Sequence, residues 1–137
     1  MDRHVVVDDT DALRTRHEGT WERGRAILGY YGIGYQSAAP GQDAASYRWQ
    51  LAVPQDGHYA VQASWTEAPD RSADAGYTVT QGGATLGEGT TNQQEPGGKW
   101  VTILDAQVAA GAPCTVELAG AADGVVVADA IRLVSLA

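Results

Sequence analysis

The chain has 137 residues, 44% hydrophobic and 19% charged, with a formal net charge of −8. That length fits one domain able to bury roughly 65–70% of its unfolded surface, and the hydrophobic content excludes a disordered chain. The acidic balance excludes a nucleic-acid partner, which needs a basic stripe to displace counterions, and weighs against an anionic membrane surface for the same reason.

Seventeen glycines and no phenylalanine point to many tight turns. A lone cysteine, Cys114, leaves no intrachain disulfide. No run approaches the roughly 18 apolar residues of a membrane span. The opening MDRHVVVDDTDA lacks the cationic and apolar regions of a secretory leader. A cytoplasmic protein and a domain of a longer secreted chain both remain open.

In chain order, His4–Val7 reads as a first strand. Asp11–Arg16 reads as a single helical turn, with Thr10 or Asp11 as its N-cap. Ser46–Val53 alternates Tyr47, Trp49, Leu51 and Val53 against polar or small residues, and His58–Thr66 alternates Tyr59, Val61, Ala63 and Trp65 against His58, Gln62, Ser64 and Thr66. This period of two places one face in a core and one in water, which makes Trp49 and Trp65 core residues. Tyr77–Gln81 and Ala84–Gly87 flank Gly82-Gly83, and Trp100–Ala106, Cys114–Ala119 and Val125–Leu136 complete the set. Val125-Val126-Val127-Ala128 is apolar on both faces and reads as a central strand. Asp56-Gly57, Gly82-Gly83, Gly97-Gly98 and Asp123-Gly124 separate these runs as hairpin turns do. About eight or nine short strands at this spacing predict an all-β fold, a single antiparallel β-sandwich of jelly-roll type over residues 1–137.

Nucleophile elbows, HExxH and phosphate-binding loops are absent from the sequence. His4, His17 and His58 are scattered, and His58 follows a turn, as a solvated imidazole does. Cys114 begins a strand, where a free cysteine behaves as a small hydrophobe. Carboxylate pairs are everywhere in so acidic a chain and carry no glycosidase signal. The expectation is a non-catalytic domain.

The amides Asn92-Gln93-Gln94 stand before a Pro-Gly-Gly turn, and Trp100 follows it. A sugar offers hydroxyls at its rim and C–H groups on its face. A site for one therefore needs a flat aromatic ring and side chains that both donate and accept. Tyr30, Tyr31, Tyr35, Trp49 and Trp100 are the candidate rings; Arg71, Asp74, Asn92, Gln93 and Gln94 are the candidate polar readers. A structural reading competes at each. Trp49 belongs to an alternating strand, Tyr30 and Tyr31 sit in a Gly-flanked corner, Arg71 can anchor a long loop to carbonyls, and Asn92 can close an Asx-turn. The amides read as organisers of a loop cluster ahead of direct readers. Either way they would lie beside Arg71 if the 67–76 loop folds over them.

Four stretches in order resemble the golvesin-type domain, also called the xanthan-lyase carbohydrate-binding-like domain. They are Gly19-Thr20-Trp21 with Tyr30-Tyr31-Gly32-Ile33-Gly34-Tyr35; Tyr47–Thr66; Asp70–Tyr77 with Asn92, Gln93, Gln94, Gly97, Gly98 and Trp100; and Val126-Val127-Ala128-Asp129-Ala130-Ile131-Arg132-Leu133. The resemblance implies a galactose-binding-like β-sandwich, used as an accessory module of bacterial secreted or surface proteins and not as their catalytic part. The implied partner is a polysaccharide or cell-envelope glycan, with sister domains of a larger chain beside it, and the implied location is extracellular or the cell surface. The alternative is a structural module that packs against sister domains, for which the Ala- and Gly-rich 106–124 stretch is the warrant. Sandwiches of this kind bring first and last strands together, and some hold structural calcium there. Asp8, Asp9 and Asp129 are the matching oxygen donors. Ahead of that stands the reading in which Asp8 and Asp9 accept backbone hydrogen bonds in a turn and Asp129 pairs with a basic group such as Arg132 or Arg71.

Overall fold

The computed structural model describes residues 4–9, 11, 13–24, 34–40, 45–66, 69–94, 99–120 and 124–136. Among them are twelve strands and no helix: β1 (His4–Asp8), β2 (Thr15–Glu18), β3 (Glu22–Gly24), β4 (Tyr35–Ala38), β5 (Ser46–Leu51), β6 (Gly57–Ser64), β7 (Ala75–Gln81), β8 (Ala84–Thr91), β9 (Val101–Val108), β10 (Cys114–Ala119), β11 (Val126–Ala128) and β12 (Ala130–Ser135). They form a four-stranded sheet β1-β12-β6-β9, a five-stranded sheet β2-β5-β10-β7-β8 and a small sheet β11-β4-β3, and every strand pair in them is antiparallel.

The alternation seen in the sequence builds the core. On β5, Tyr47, Trp49 and Leu51 turn inward while Arg48 and Gln50 face water. On β6, Tyr59, Val61 and Ala63 meet them from the opposite sheet, and Trp65 just beyond the strand joins the same cluster. Trp49 and Trp65 are each 1% exposed. Burying a side chain of this size contributes at least about 1.5–3 kcal/mol, which makes the pair a main source of cohesion. Between β7 and β8, Gly82 and Gly83 both take positive φ (60° and 84°), the backbone a two-residue primed turn demands.

Two readings are corrected. Asp11–Arg16 is not a helical turn, because Asp11 Oδ1 accepts from the amides of Leu13 and Arg14 and the chain then enters β2, where Thr15 pairs with Trp49. Thr10 lies outside the described residues. Val126–Ala128 is wholly buried as its composition requires, yet it is an edge strand of the small sheet. Its burial comes from loops, chiefly the segment around Arg71, which bridges Val125 in parallel.

Among the described residues the sandwich is closed along one side and open along the other. At the closed side β8 lies against β9 without pairing to it. A Cβ at Gly89 would stand 2.4 Å from Ile103 Cγ2 and one at Gly87 3.3 Å from Leu104 Cδ2, so the two glycines set how near the strands come. At the open side β1 and β2 are the edge strands of their sheets. Asp8 pairs with Ala130 at one pole of the sandwich, and His4 pairs with Val134 at the other. The described residues 69–74, 92–94 and 124–125 meet at the first of these poles, where Asp70, Ser72, Gln93 and Val125 are joined by backbone hydrogen bonds.

Candidate functional site

The loop pole is built around Arg71. Its side chain is 6% exposed: Nε donates to the Thr66 carbonyl (3.2 Å), Nη2 to Thr66 Oγ1 (3.3 Å) and Nη1 to Asp70 Oδ1 (2.8 Å), and the guanidinium lies 5.8 Å from the centre of the Tyr35 ring. Its backbone neighbours are equally engaged. The Ser72 amide donates to the Val125 carbonyl and the Val125 amide to the Asp70 carbonyl, each at 2.8 Å.

The amides complete this frame. The Gln93 amide donates to the Ser72 carbonyl (2.8 Å). Its side chain is fully buried: Oε1 accepts from the Val127 amide (2.7 Å), and Nε2 donates to the Val127 carbonyl (2.9 Å) and the Tyr77 hydroxyl (3.2 Å). Burial raises the pKa of the Tyr77 phenol above its ordinary value, and the hydrogen bond with Gln93 pulls it the other way. Gln94 Nε2 donates to the Arg71 carbonyl (3.1 Å), and Asn92 Oδ1 accepts from the Gln94 amide (3.0 Å) as an Asx-turn. Ser72 Oγ accepts from the Asp74 amide (3.1 Å). Arg71, Asp74, Asn92, Gln93 and Gln94 therefore share one pole. Arg71 and Gln93 are inside it; Asp74, Asn92 and Gln94 form its exposed rim.

The aromatic candidates do not gather there. Tyr35 is 4% exposed beneath Arg71, and Trp49 is core. Trp100 is half-buried, with the Arg132 guanidinium 4.6 Å from its ring centre on the outer face of the four-stranded sheet. Arg132 is itself held by Gln62 Oε1, which accepts from its Nε (2.9 Å) and Nη2 (2.5 Å). Tyr30 and Tyr31 lie outside the described residues.

At the same pole, Asp8, Asp9 and Asp129 bring one carboxylate oxygen each to within 4.8 Å of one another. Strand β5 positions two of them through their backbones, since the Tyr47 hydroxyl donates to the Asp9 carbonyl (2.7 Å) and Trp49 Nε1 to the Asp129 carbonyl (3.3 Å). Arg23 Nη1 reaches Asp9 Oδ2 at 2.6 Å, whereas Asp9 Oδ1 is buried and accepts no hydrogen bond among the described residues. Burial, then the hydrogen bond and charge of Asp8, push the Asp9 carboxyl up to about 8, with Arg23 pulling the other way. Ionised carboxylates bring no hydrogen of their own, so three with oxygens within 4.8 Å of one another favour a shared proton or a cation. The set suits a hard cation, and calcium would draw its further oxygens from neighbouring carbonyls or water. Arg71 and Arg132 have other partners. The cation that reaches this cluster is Arg23, which the sequence did not single out; only its later pairing with a buried aspartate marks it.

Cys114 is 0% exposed and burial pushes its thiol up to about 11, so it stays a thiol in neutral solution. His58 is exposed on β6, with Nδ1 3.2 Å from Gln107 Oε1 and Nε2 3.3 Å from Asp105 Oδ1.

Comparison with known proteins supplies the relatives. Residues 5–135 match the model of the Golvesin C-terminal domain. A xanthan lyase of Bacillus sp. (strain GL1) is 27% identical over 96% of this chain and 15% of its own length. The solved structure of a Paenibacillus xanthan lyase superposes with a TM-score of 0.91 at 30% identity, over 98% of this chain and 13% of that one. The native family 35 carbohydrate-binding module from Clostridium thermocellum superposes with a TM-score of 0.67 at 14% identity, over 96% and 97% of the two chains. That last likeness is one of fold, and it agrees with the β-sandwich expected from the alternation.

Proposed function

Because the chain belongs to the Golvesin C-terminal domain family, we propose that it acts as a non-catalytic module that binds a polysaccharide, within a larger secreted or surface protein. The carrying observation is the rim of Asp74, Asn92 and Gln94 held on the buried Arg71–Gln93 frame. Donors and acceptors fixed this way meet sugar hydroxyls with little further loss of side-chain freedom. The likeness to a family 35 carbohydrate-binding module and to one segment of xanthan lyases supports the same reading. Calcium at Asp8, Asp9 and Asp129 would tie the first strand to the last and hold the pole in shape.

A glycan array run with and without calcium, followed by calorimetry, tests it. A shallow site of this kind binds with a Kd on the order of 10 µM to 1 mM. Asn92→Ala and Gln94→Ala should each weaken binding without unfolding the protein. Failure of every polysaccharide to bind, or binding indifferent to both substitutions, would rule the reading out.

A further inference from the structure

The open side of the sandwich holds a groove of about 440 Å³, lined by Thr15, Arg16, His17, Arg23, Gln36 and Tyr47, with Asp9 at the end nearest the loop pole. Its volume lies within the ~300–1,000 Å³ common to small-ligand sites. In a chain of net charge −8 its chemistry is the reverse of the whole. Arg16 and Arg23 both line it, and Arg48 lines the adjoining depression with Arg16, His17 and Glu18. Arg48 is paired with Glu117, and Arg23 gives one N–H to Asp9. Arg16 is exposed, donates to the Thr15 carbonyl (3.0 Å) and has no carboxylate partner among the described residues. A guanidinium carries five N–H donors, so Arg16 and Arg23 both keep donors to spare.

The groove also has a rigid flat wall. His17 stacks on Tyr47 with ring centres 5.6 Å apart and planes 9° from parallel, and Trp21 meets Tyr47 edge-on at 5.2 Å. Tyr47 is 2% exposed and anchored by its hydroxyl to the Asp9 carbonyl, so the imidazole rests on a fixed support. Gln36 comes from β4, where it pairs with Arg23 of β3, and brings an amide to the same space.

We propose that this groove binds a hexuronate unit of an acidic polysaccharide, with Arg16 and Arg23 holding the carboxylate, Gln36 a hydroxyl, and His17 backing the sugar ring. A planar carboxylate matches the guanidinium fork, and the apolar face of a pyranose matches a flat ring. The inference rests on the polysaccharide-binding reading and deepens it. The loop-pole rim contacts hydroxyls of any sugar, while the groove selects the acid.

Calorimetry on the full chain with polyglucuronate, with the same polymer after reduction of its carboxylates to primary alcohols, and with dextran sulfate tests the assignment. Polyglucuronate should bind, and carboxyl reduction should weaken binding about tenfold, as loss of a charge-assisted contact does. Arg16→Gln should weaken polyglucuronate about fivefold and leave the reduced polymer unchanged. Gln36→Ala is the second variant, and melting temperatures confirm that both remain folded. Equal affinity for the reduced polymer, or for dextran sulfate, would overturn the assignment. So would indifference to both Arg16→Gln and Gln36→Ala. If polyglucuronate binding is lost in Asn92→Ala and untouched in both groove variants, the groove falls and the glycan-binding module stands. If no polysaccharide binds, both fall.

Discussion

Gln93 holds Val127 as a neighbouring strand would, its side-chain oxygen accepting the Val127 amide at 2.7 Å and its side-chain nitrogen donating to the Val127 carbonyl at 2.9 Å. One side chain thus replaces a rung of β-ladder on the free edge of β11 and satisfies two backbone groups that would otherwise be buried without partners.

Gln93→Ala should therefore lower stability by about 2–4 kcal/mol, since it strands a buried donor and a buried acceptor together. Urea denaturation is expected to show a lower midpoint with an unchanged slope. Gln93→Glu should not restore the loss, because a carboxylate keeps the acceptor for the Val127 amide and sets a second acceptor against its carbonyl. A midpoint within error of the parent in Gln93→Ala would refute this role.

Gly124 lies where the chain passes Arg71 too closely for a side chain. A Cβ there would stand 2.7 Å from the Arg71 carbonyl carbon and oxygen and from the Ser72 nitrogen, all backbone atoms. Gly124→Ala should cost about 1–3 kcal/mol, the range for overpacking a close contact. The loss should fall on the loop pole, read as faster amide exchange at Ser72 and Val125, whose mutual hydrogen bond the shift would stretch.

The Asp9 carboxyl, lifted from 3.8 to about 8, favours its protonated form in the folded chain. That contribution to stability is complete below about pH 4 and is lost as pH rises towards 8. Asp8 and Asp129 face the same space, and Arg23 offsets part of the repulsion. In a chelator the melting temperature should therefore fall from pH 5 to pH 8. Calcium takes the ionised oxygens, so the rise it causes should be larger at pH 8 than at pH 5 and should vanish in Asp129→Asn. A calcium response equal at both pH values, or none, would count against the acidic cluster as an ion site.

Cys114 should resist a thiol reagent at pH 8 in the native protein and react fully once unfolded, since its sulfur is buried and its thiolate scarce. Rapid native labelling, followed by absorbance of the released chromophore, would show that the β10 end opens far more often than its packing implies.

The fold was largely legible because period-two alternation is a property of single strands. Tyr47, Trp49 and Leu51 announce their common face without reference to any partner. Strands β2, β3 and β4 were missed because their residues carry no such alternation; Thr15-Arg16-His17-Glu18 is almost wholly exposed and is a strand only because Thr15 to Glu18 pair with β5. The edge position of Val126–Ala128 was hidden for a related reason. Apolar composition reports burial, and here a glutamine side chain and a crossing loop supply burial that a second neighbouring strand usually provides.

At the candidate site, the sequence pointed to the right neighbourhood for Arg71, Asn92, Gln93 and Gln94, since amides beside a glycine turn and a lone arginine in a long loop need partners. Which of them face inward depends on how 69–76 and 92–94 fold over β11, and that is decided by long-range backbone bonds such as Gln93 to Ser72. Trp100 was grouped with the amides on proximity in the chain. Its ring instead lies against Arg132, a residue four strands of sequence away.

The pairing of His4 with Val134 has a practical corollary for anyone who handles the molecule. The outer ends of β1 and β12 thus lie side by side, on the pole far from the described loop residues. A tether placed beyond either of these strands should leave the loop pole pointing into solution, whereas coupling through Lys99, the chain's one lysine, would attach the protein next to Trp100.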